Sequence, residues 1–592
     1  MLPLALAFPT RRASSNNDYD RLKKDKPPVI PARPRATLLI PGLLLLMTGA
    51  SKAQSPPGAA PFTRPIDERP ELPTYEPPAS MPPLELPPVA PESPASPLSE
   101  QLQVHVEKVR IEGSTVFSAE VLAEVAKPWQ GRTLDSGDLE SLRRALTQHY
   151  IDHGYINSGA LIPDQQVTDG VIVVQIVEGH LQDTRIEGLR RLRPSYLEDR
   201  IALGVSRPLN VSALGEALEL LKQNPRIEQL HATLAPGAVP GEALLDVRVA
   251  EARPVHFWVG ADNTRPPSVG GEQITLRGVH QNLSGWGDSL DVGADFARAL
   301  DAYDIRYSLP VSARDTVLSL RYLHNRSDVI EPPFDALDIA AEEQSFGLSL
   351  THPIYRTRSR RLLLGAIVDR RESTTTLLGQ PFSFSPGAEN GETRLAVLRL
   401  TQEWLDQQVQ YVLAARSSFN FGTDALNATV NGADQDGKFV SWIGQAQWAR
   451  RLGDHGQVIT RTALQWSNDS LPSLEQFSVG GLYTVRGYRE NQQVTDQGVV
   501  ASVEFRFPIW VSESGRNRLQ FAPFFDYGNV RNRDRYTPDP QHLSGAGAGL
   551  VLRVGTTLDA AVYVAHAFQD IVNPSEDIQD DGIHFSISAK LY

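Results

Sequence analysis

The chain has 592 residues, enough for three or more domains, and carries 57 Lys+Arg against 70 Asp+Glu, a net charge of −13. That acidity argues against nucleic acid as the main partner, and the absence of cysteine excludes disulfides, thiolate catalysis and Cys-ligated metal. Mean hydropathy is −0.27, and no uninterrupted apolar run reaches the roughly 18 residues of a spanning helix, which argues against a helical membrane protein but not against a β-barrel, whose strands are only half apolar.

The best apolar stretch is residues 37–50. Lys23, Lys24, Lys26, Arg33 and Arg35 precede it, and Ser51 and Ala53 follow at −3 and −1 positions before Gln54. This is the three-part layout of a secretory signal peptide, here an extended one over 1–53. A buried helix over the same stretch would be broken at Pro41-Gly42. Residues 55–97 then hold 15 prolines in 43 positions. Such a segment cannot bury a core, so 54–103 is read as a proline-rich linker.

Residues 104–179 are predicted to run strand, helix, helix, strand, strand. The first strand spans 104–112. Ser118 can cap a helix carrying Val121, Leu122 and Val125, and Asp135 or Ser136 a second whose Leu139, Leu142, Leu146 and Tyr150 form one apolar face. Gly154 is its predicted stop. Strands 159–167 and 171–177 follow, joined at Thr168-Asp169-Gly170. Residues 180–252 repeat this order, with strands near 184–188, 231–234 and 243–250 and a helix capped by Asn210 or Ser212. A βααββ order used twice at one length reads as a tandem pair of small α+β domains.

From Arg253 onward helical periodicity gives way to alternation. Val255/Phe257/Val259/Ala261, Leu290/Val292/Ala294/Phe296 and Val503/Phe505/Phe507/Ile509 are apolar sets, and Glu504 and Arg506 take the opposite face of the last. Apolar-out and charged-in is the pattern of a transmembrane barrel wall. Sixteen strands are predicted over 253–592, an even number that brings both barrel ends to one side, and a barrel of that size encloses an aqueous path. The longest gap, about 468–497, contains Gly480-Gly481 and Val485-Arg486-Gly487-Tyr488. Apolar residues, paired glycines and one arginine predict a structured loop folded inward. Beyond it lies Phe524-Phe525-Asp526-Tyr527-Gly528. Parity sends Phe525 and Tyr527 to lipid and Asp526 to the lumen, where an ionisable residue calls for a partner. Arg486 is the candidate, with the pair expected in a wet lumen.

These residues resemble the TpsB transporters of two-partner secretion, the FhaC/ShlB/HecB type, over about 104–592. Val485-Arg486-Gly487-Tyr488 after Gly480-Gly481 is similar to the family's VRGF/Y loop tip, and Phe525-Asp526-Tyr527-Gly528 to the F-x-D-x-G wall motif that receives the arginine. The resemblance implies a mainly β protein: POTRA domains at 104–179 and 180–252, then a sixteen-stranded transmembrane barrel at 253–592. It implies an outer-membrane translocator with its POTRA domains in the periplasm. The exported partner would be a large TpsA-like exoprotein, of adhesin or cytolysin type, bound through the POTRA domains. Outer-membrane lipid and, during biogenesis, the barrel assembly machinery are the other implied partners. No enzymatic activity, nucleotide hydrolysis, cofactor or metal is implied. The alternative is an assembly factor that inserts barrels into the membrane, against which two POTRA-like units rather than about five argue. The lead is too proline-rich for the plug helix that members such as FhaC carry. The terminal strand's cleanest apolar set, Phe585/Ile587/Ala589/Leu591, is one position off the terminal Tyr592.

No HExxH, GxSxG or Walker loop is present. Gly545 to Gly549, GAGAG, lacks the helix that would present a pyrophosphate and reads as strand glycines beside a bulky neighbour. His149 and His153 at i,i+4 read as helix-surface residues. Trp286, Trp404, Trp442, Trp448 and Trp510 read as interface-belt or wall residues.

Overall fold

A computed structural model describes residues 103–591 apart from 454, 455 and 574. The predicted signal peptide and the predicted proline-rich linker up to residue 102 lie outside the described residues.

The first module opens with β1 (Val104–Val106) and β2 (Lys108–Glu112), where one continuous strand was predicted. The break falls at Glu107, because both Glu107 and Lys108 donate their N–H to the carbonyl of Gly170 (2.8 and 3.2 Å). The chain then continues through α1 (Ala119–Ala126) and β3 (Arg132–Leu134), which pairs with β1. Next come α2 (Ser136–Asp152), β4 (Gly159–Leu161) and β5 (Val171–Val177). Asp135 and Asp138 cap α2 reciprocally, each carboxylate accepting the other's N–H, which satisfies two otherwise orphaned donors. Leu142, Leu146 and Tyr150 are fully buried along one face of α2, and Gly154, at φ +89°, follows its end. The predicted strand 159–167 pairs only over β4. Beyond Pro163 the side-chain amide of Gln165 takes over the ladder, accepting from Val173 N–H at 2.8 Å and donating to Val173 O at 2.7 Å.

The second module is β6 (His180–Glu187), α3 (Pro194–Ala202), α4 (Val211–Lys222), β7 (Ile227–Pro236) and β8 (Glu242–Glu251). Its sheet order β6-β8-β7 repeats β2-β5-β4, with the first strand parallel to the last in both. β6 and β7 are longer than their predicted strands. Asn210 caps α4 by accepting from Ser212 N–H at 2.9 Å, and its amide donates to His153 O at 3.1 Å. Val211 N–H donates to Gly154 O at 2.9 Å. The end of α2 is thus tied to the start of α4, joining two modules with separate apolar cores.

The chain then enters a closed antiparallel barrel. Its first strands are β9 (Val255–Asp262), β10 (Gln273–Gln281), β11 (Ser289–Ala297), β12 (Leu300–Pro310) and β13 (Val317–Asp328). The longest pair, β14 (Ala340–Arg356) and β15 (Arg360–Leu377), is followed by the two-residue β16 (Gln380–Pro381), which extends β15 beyond the wall. Then come β17 (Glu392–Gln407), β18 (Tyr411–Thr423), β19 (Phe439–Leu452) and β20 (Gly456–Ser467). After a long loop containing β21 (Phe477–Val479) and β22 (Gln493–Thr495), the wall resumes with β23 (Gln497–Val511) and β24 (Asn517–Arg531). It ends with β25 (His542–Val554), β26 (Leu558–Ala567) and β27 (Ile583–Lys590), which closes on β9. Without β16, β21 and β22 the wall has the sixteen strands predicted.

The alternation behaves as a wall requires. Leu318, Leu320, Phe346, Leu348 and Leu350 are exposed on the outer face. Ion pairs such as Arg277–Asp291 and Arg321–Asp304 join neighbouring strands at positions of opposite parity. Among the described residues no helix is long and apolar enough to cross a membrane.

The second module docks on one end of the barrel. Arg200, 8% exposed, donates to Asp315 at 2.6 Å, and Asp315 also pairs with Arg356. Arg193 donates its N–H to Gly285 O (3.0 Å), and its guanidinium lies 4.4 Å above the ring of Trp286. Trp286, predicted as a wall or belt residue, therefore sits at this junction. Gly287 is held at φ +73°, and a Cβ there would come within 2.3 Å of the Tyr196 ring.

Candidate functional site

The loop between β20 and β23 leaves the end of the barrel opposite the modules and folds back inside it. Its stem is the antiparallel pair β21–β22. Phe477 and Val479 are fully buried with Val485, Val500, Val530 and Leu543, so the stem carries its own apolar seat against β23–β25. Gly480 and Gly481 follow at φ +114° and +100°, backbone that residues with a Cβ rarely adopt. Gly480 N–H donates to Thr484 Oγ1 at 2.8 Å and Gly481 N–H to Val485 O at 3.2 Å. The turn so formed presents Arg486 to the wall.

Arg486 Nε and Nη2 donate to the two oxygens of Asp526, at 2.7 and 2.9 Å, and the Arg486 backbone N–H adds a third bond at 3.1 Å. This is the two-pronged geometry in which guanidinium–carboxylate pairs are strongest. Arg486 Nη1 donates to Glu504 Oε2 at 2.7 Å, and the guanidinium carbon lies 3.4 Å from the centre of the Phe524 ring. Arg486, Asp526 and Glu504 are 2%, 1% and 0% exposed. The pair expected in a wet lumen is enclosed by protein, because the loop stem and the ring of Phe524 cover it.

The other motif residues take distinct places. Gly487, at φ +98°, donates its N–H to Nε2 of His584 on β27 (3.1 Å). Tyr488 is buried, its hydroxyl donating to Gln569 Oε1 at 2.8 Å. A Cβ on Gly528 would come within 2.5 Å of Val479. Phe525 does not face the arginine. It is 46% exposed on the outer surface, since side chains alternate along β24, and Phe524 is the ring beneath the guanidinium.

Sequence reasoning missed Glu504 as a partner, together with His584. A usable signal existed for Glu504. It shares inward parity with Asp526, and β23 pairs with β24 through Ser502↔Asp526 and Glu504↔Phe524, placing it one step along the lumen face. The glycine run on β25 has a clear use as well. A Cβ on Gly545 would lie 2.1 Å from the carbonyl oxygen of Arg486, and one on Gly549 would lie 2.3 Å from the Tyr563 ring. The bulky neighbours read from sequence are therefore the loop tip itself and an inward tyrosine. His149 and His153 have ring centres 4.5 Å apart beside Phe117, and no group of residues fit to hold a metal occurs among the described residues.

The family model "Haemolysin secretion/activation protein ShlB/FhaC/HecB" matches residues 241–552, and "POTRA domain, ShlB-type" matches 104–179. The outer membrane transporter CdiB of Escherichia coli O6:K15:H31 is 24% identical over 401 residues, spanning 65% of this chain and 66% of that one. The heme/hemopexin transporter protein HuxB of Haemophilus influenzae is 20% identical over 463 residues, 72% of this chain and 77% of that one. A solved CdiB from Escherichia coli superposes with a TM-score of 0.62 at 20% identity, covering 85% of this chain and 93% of that one, and so shares the fold. With more than half its length matched by the family model, the chain belongs to the ShlB/FhaC/HecB family of haemolysin secretion/activation proteins.

Proposed function

We propose that this protein is an outer-membrane translocator that passes one large secreted partner from the periplasm to the cell surface. The observation that carries the reading is a closed sixteen-stranded barrel whose lumen holds a loop locked to the wall by Arg486–Asp526, with paired α+β modules at the opposite end. The modules face the periplasm and capture the partner as an extended chain, which adds as a strand to an open edge at β2, β4, β6 or β7. The chain then threads the barrel. Its folding outside supplies direction, so no nucleotide is hydrolysed and no cofactor takes part. The barrel assembly machinery inserts the translocator, and its outer face contacts lipid.

The test is expression of the partner with and without this chain in a host that lacks both. Appearance of the partner at the surface only in the chain's presence supports export. A partner retained in the periplasm, with other outer-membrane barrels gaining in abundance, would favour the assembly-factor reading instead.

A further inference from the structure

The inward loop is fastened to the barrel a second time, at its foot. Glu475, the last residue of a short helical turn (Ser473–Glu475), is 1% exposed and lies between two wall arginines. Arg399 on β17 donates Nη2 and Nη1 to its two oxygens, at 2.6 and 2.9 Å. Arg371 on β15 donates Nη1 to Glu475 Oε1 at 3.1 Å and to Leu474 O at 2.9 Å. Leu471 packs beside it against Leu395, Val397 and Phe439. The foot therefore sits on β15, β17, β19 and β20, the last through Gln465, which donates to Glu475 O at 2.9 Å, while the tip is held by β23, β24 and, through His584, β27, a different sector of the wall.

The two anchors differ in what they leave behind when they open. Each arginine at the foot has a wall carboxylate of its own: Arg371 binds Glu343 at 2.6 Å and Arg399 binds Asp369 at 2.8 Å. If Glu475 departs, two wall pairs remain and neither guanidinium is orphaned. At the tip, Glu504 would keep Arg506 at 2.6 Å, but Asp526 has no ion-pair partner besides Arg486 among the described residues. An enclosed charge left without a partner is the costly outcome, whereas an exchange among existing pairs is not.

We propose that Glu475 is a positioning residue that makes the loop foot a releasable latch, so that the foot leaves the wall while the Arg486 tip stays seated. The latch belongs to the barrel itself. Its structural readout is independent of the export reading, and only its effect on secretion rests on that reading.

The chain has no cysteine, so introduced cysteines carry spin labels uniquely. In the full-length protein in lipid, Ser473→Cys on the foot and Tyr483→Cys near the tip are each paired with Ser514→Cys on the turn between β23 and β24. In the Glu475→Gln background the foot distance distribution broadens and the tip distribution keeps its width. Glu475→Asp, which retains the charge, restores most of the narrow foot distribution. The Glu343→Gln/Asp369→Asn pair, which makes both arginines depend on Glu475, narrows the foot distribution beyond wild type, and this variant decides the matter if Glu475→Gln yields no folded barrel. Secretion should fall at least severalfold in the narrowed variant. An unchanged foot distribution in Glu475→Gln, or equal broadening at foot and tip, would overturn the latch. A narrowed foot with normal secretion would remove its role in export.

Discussion

Arg486 joins the loop to the wall through charges that protein encloses on all sides. Removing Arg486 leaves Asp526 buried and unpaired, which typically costs about 3–5 kcal/mol, whereas removing Asp526 leaves the guanidinium with Glu504 alone, at 2.7 Å. Arg486→Ala and Asp526→Ala should each unseat the tip and impair secretion while leaving a barrel that still shifts on unheated gels. The double variant should be little worse than either single, measured by secretion and by protease access to the tip. Losses that multiply in the double variant would mean the residues act separately. Gly545→Val should mimic Arg486→Ala, since the position a Cβ would take is 2.1 Å from the Arg486 carbonyl and backbone cannot yield as a side chain can. Its strand should still form, because valine suits strands. The arginine and aspartate were legible in the sequence because they are rare charges in special contexts, one beside paired glycines and the other between outward aromatics. Glu504 and Glu475 were not, because inward charges are ordinary in a barrel wall and a carboxylate in a long loop carries no mark of where the loop folds.

Among the elements, the modules and the barrel strands were readable because their periodicities differ and their caps are local. Asp135 and Asn210 cap α2 and α4 as predicted. Residues 104–112 read as one strand although their apolar positions change phase between Val106 and Val109, where Gly170 divides the segment between two sheets, and the Gln165 side chain replaces the ladder that Pro163 interrupts, a contact that periodicity does not encode. Since the first module has its own core, deleting residues 104–179 should abolish export and leave a heat-modifiable barrel in the membrane. Normal secretion after the deletion would move partner capture elsewhere. The junction on the second module allows a graded test. Arg200→Ala leaves Asp315 paired with Arg356 and should cost about 1.5–3 kcal/mol of docking, the scale of a lost charged hydrogen bond. Asp315→Ala strands both arginines and should cost more. Inter-label distances between residue 239 on the second module and residue 514 on the barrel should broaden in that order.

For the whole molecule, the second module docks on one end of a closed barrel and the loop enters it from the other. Halving the proline-rich lead over 55–97 should barely change export, because such composition forms no core; a large rise in conductance after that deletion would mean the lead occludes the pore. The barrel is expected to pass its partner unaided by nucleotide. The most direct measurement reconstitutes the purified protein into liposomes, supplies the unfolded partner on the side bearing the modules without nucleotide, and scores how much becomes protease-protected inside. Protection that appears with the wild-type protein, and is lost in Arg486→Ala and in the 104–179 deletion, is the expected result. A folded, conducting barrel that leaves the partner fully degraded, or protects it only when ATP is added, would contradict unaided passage.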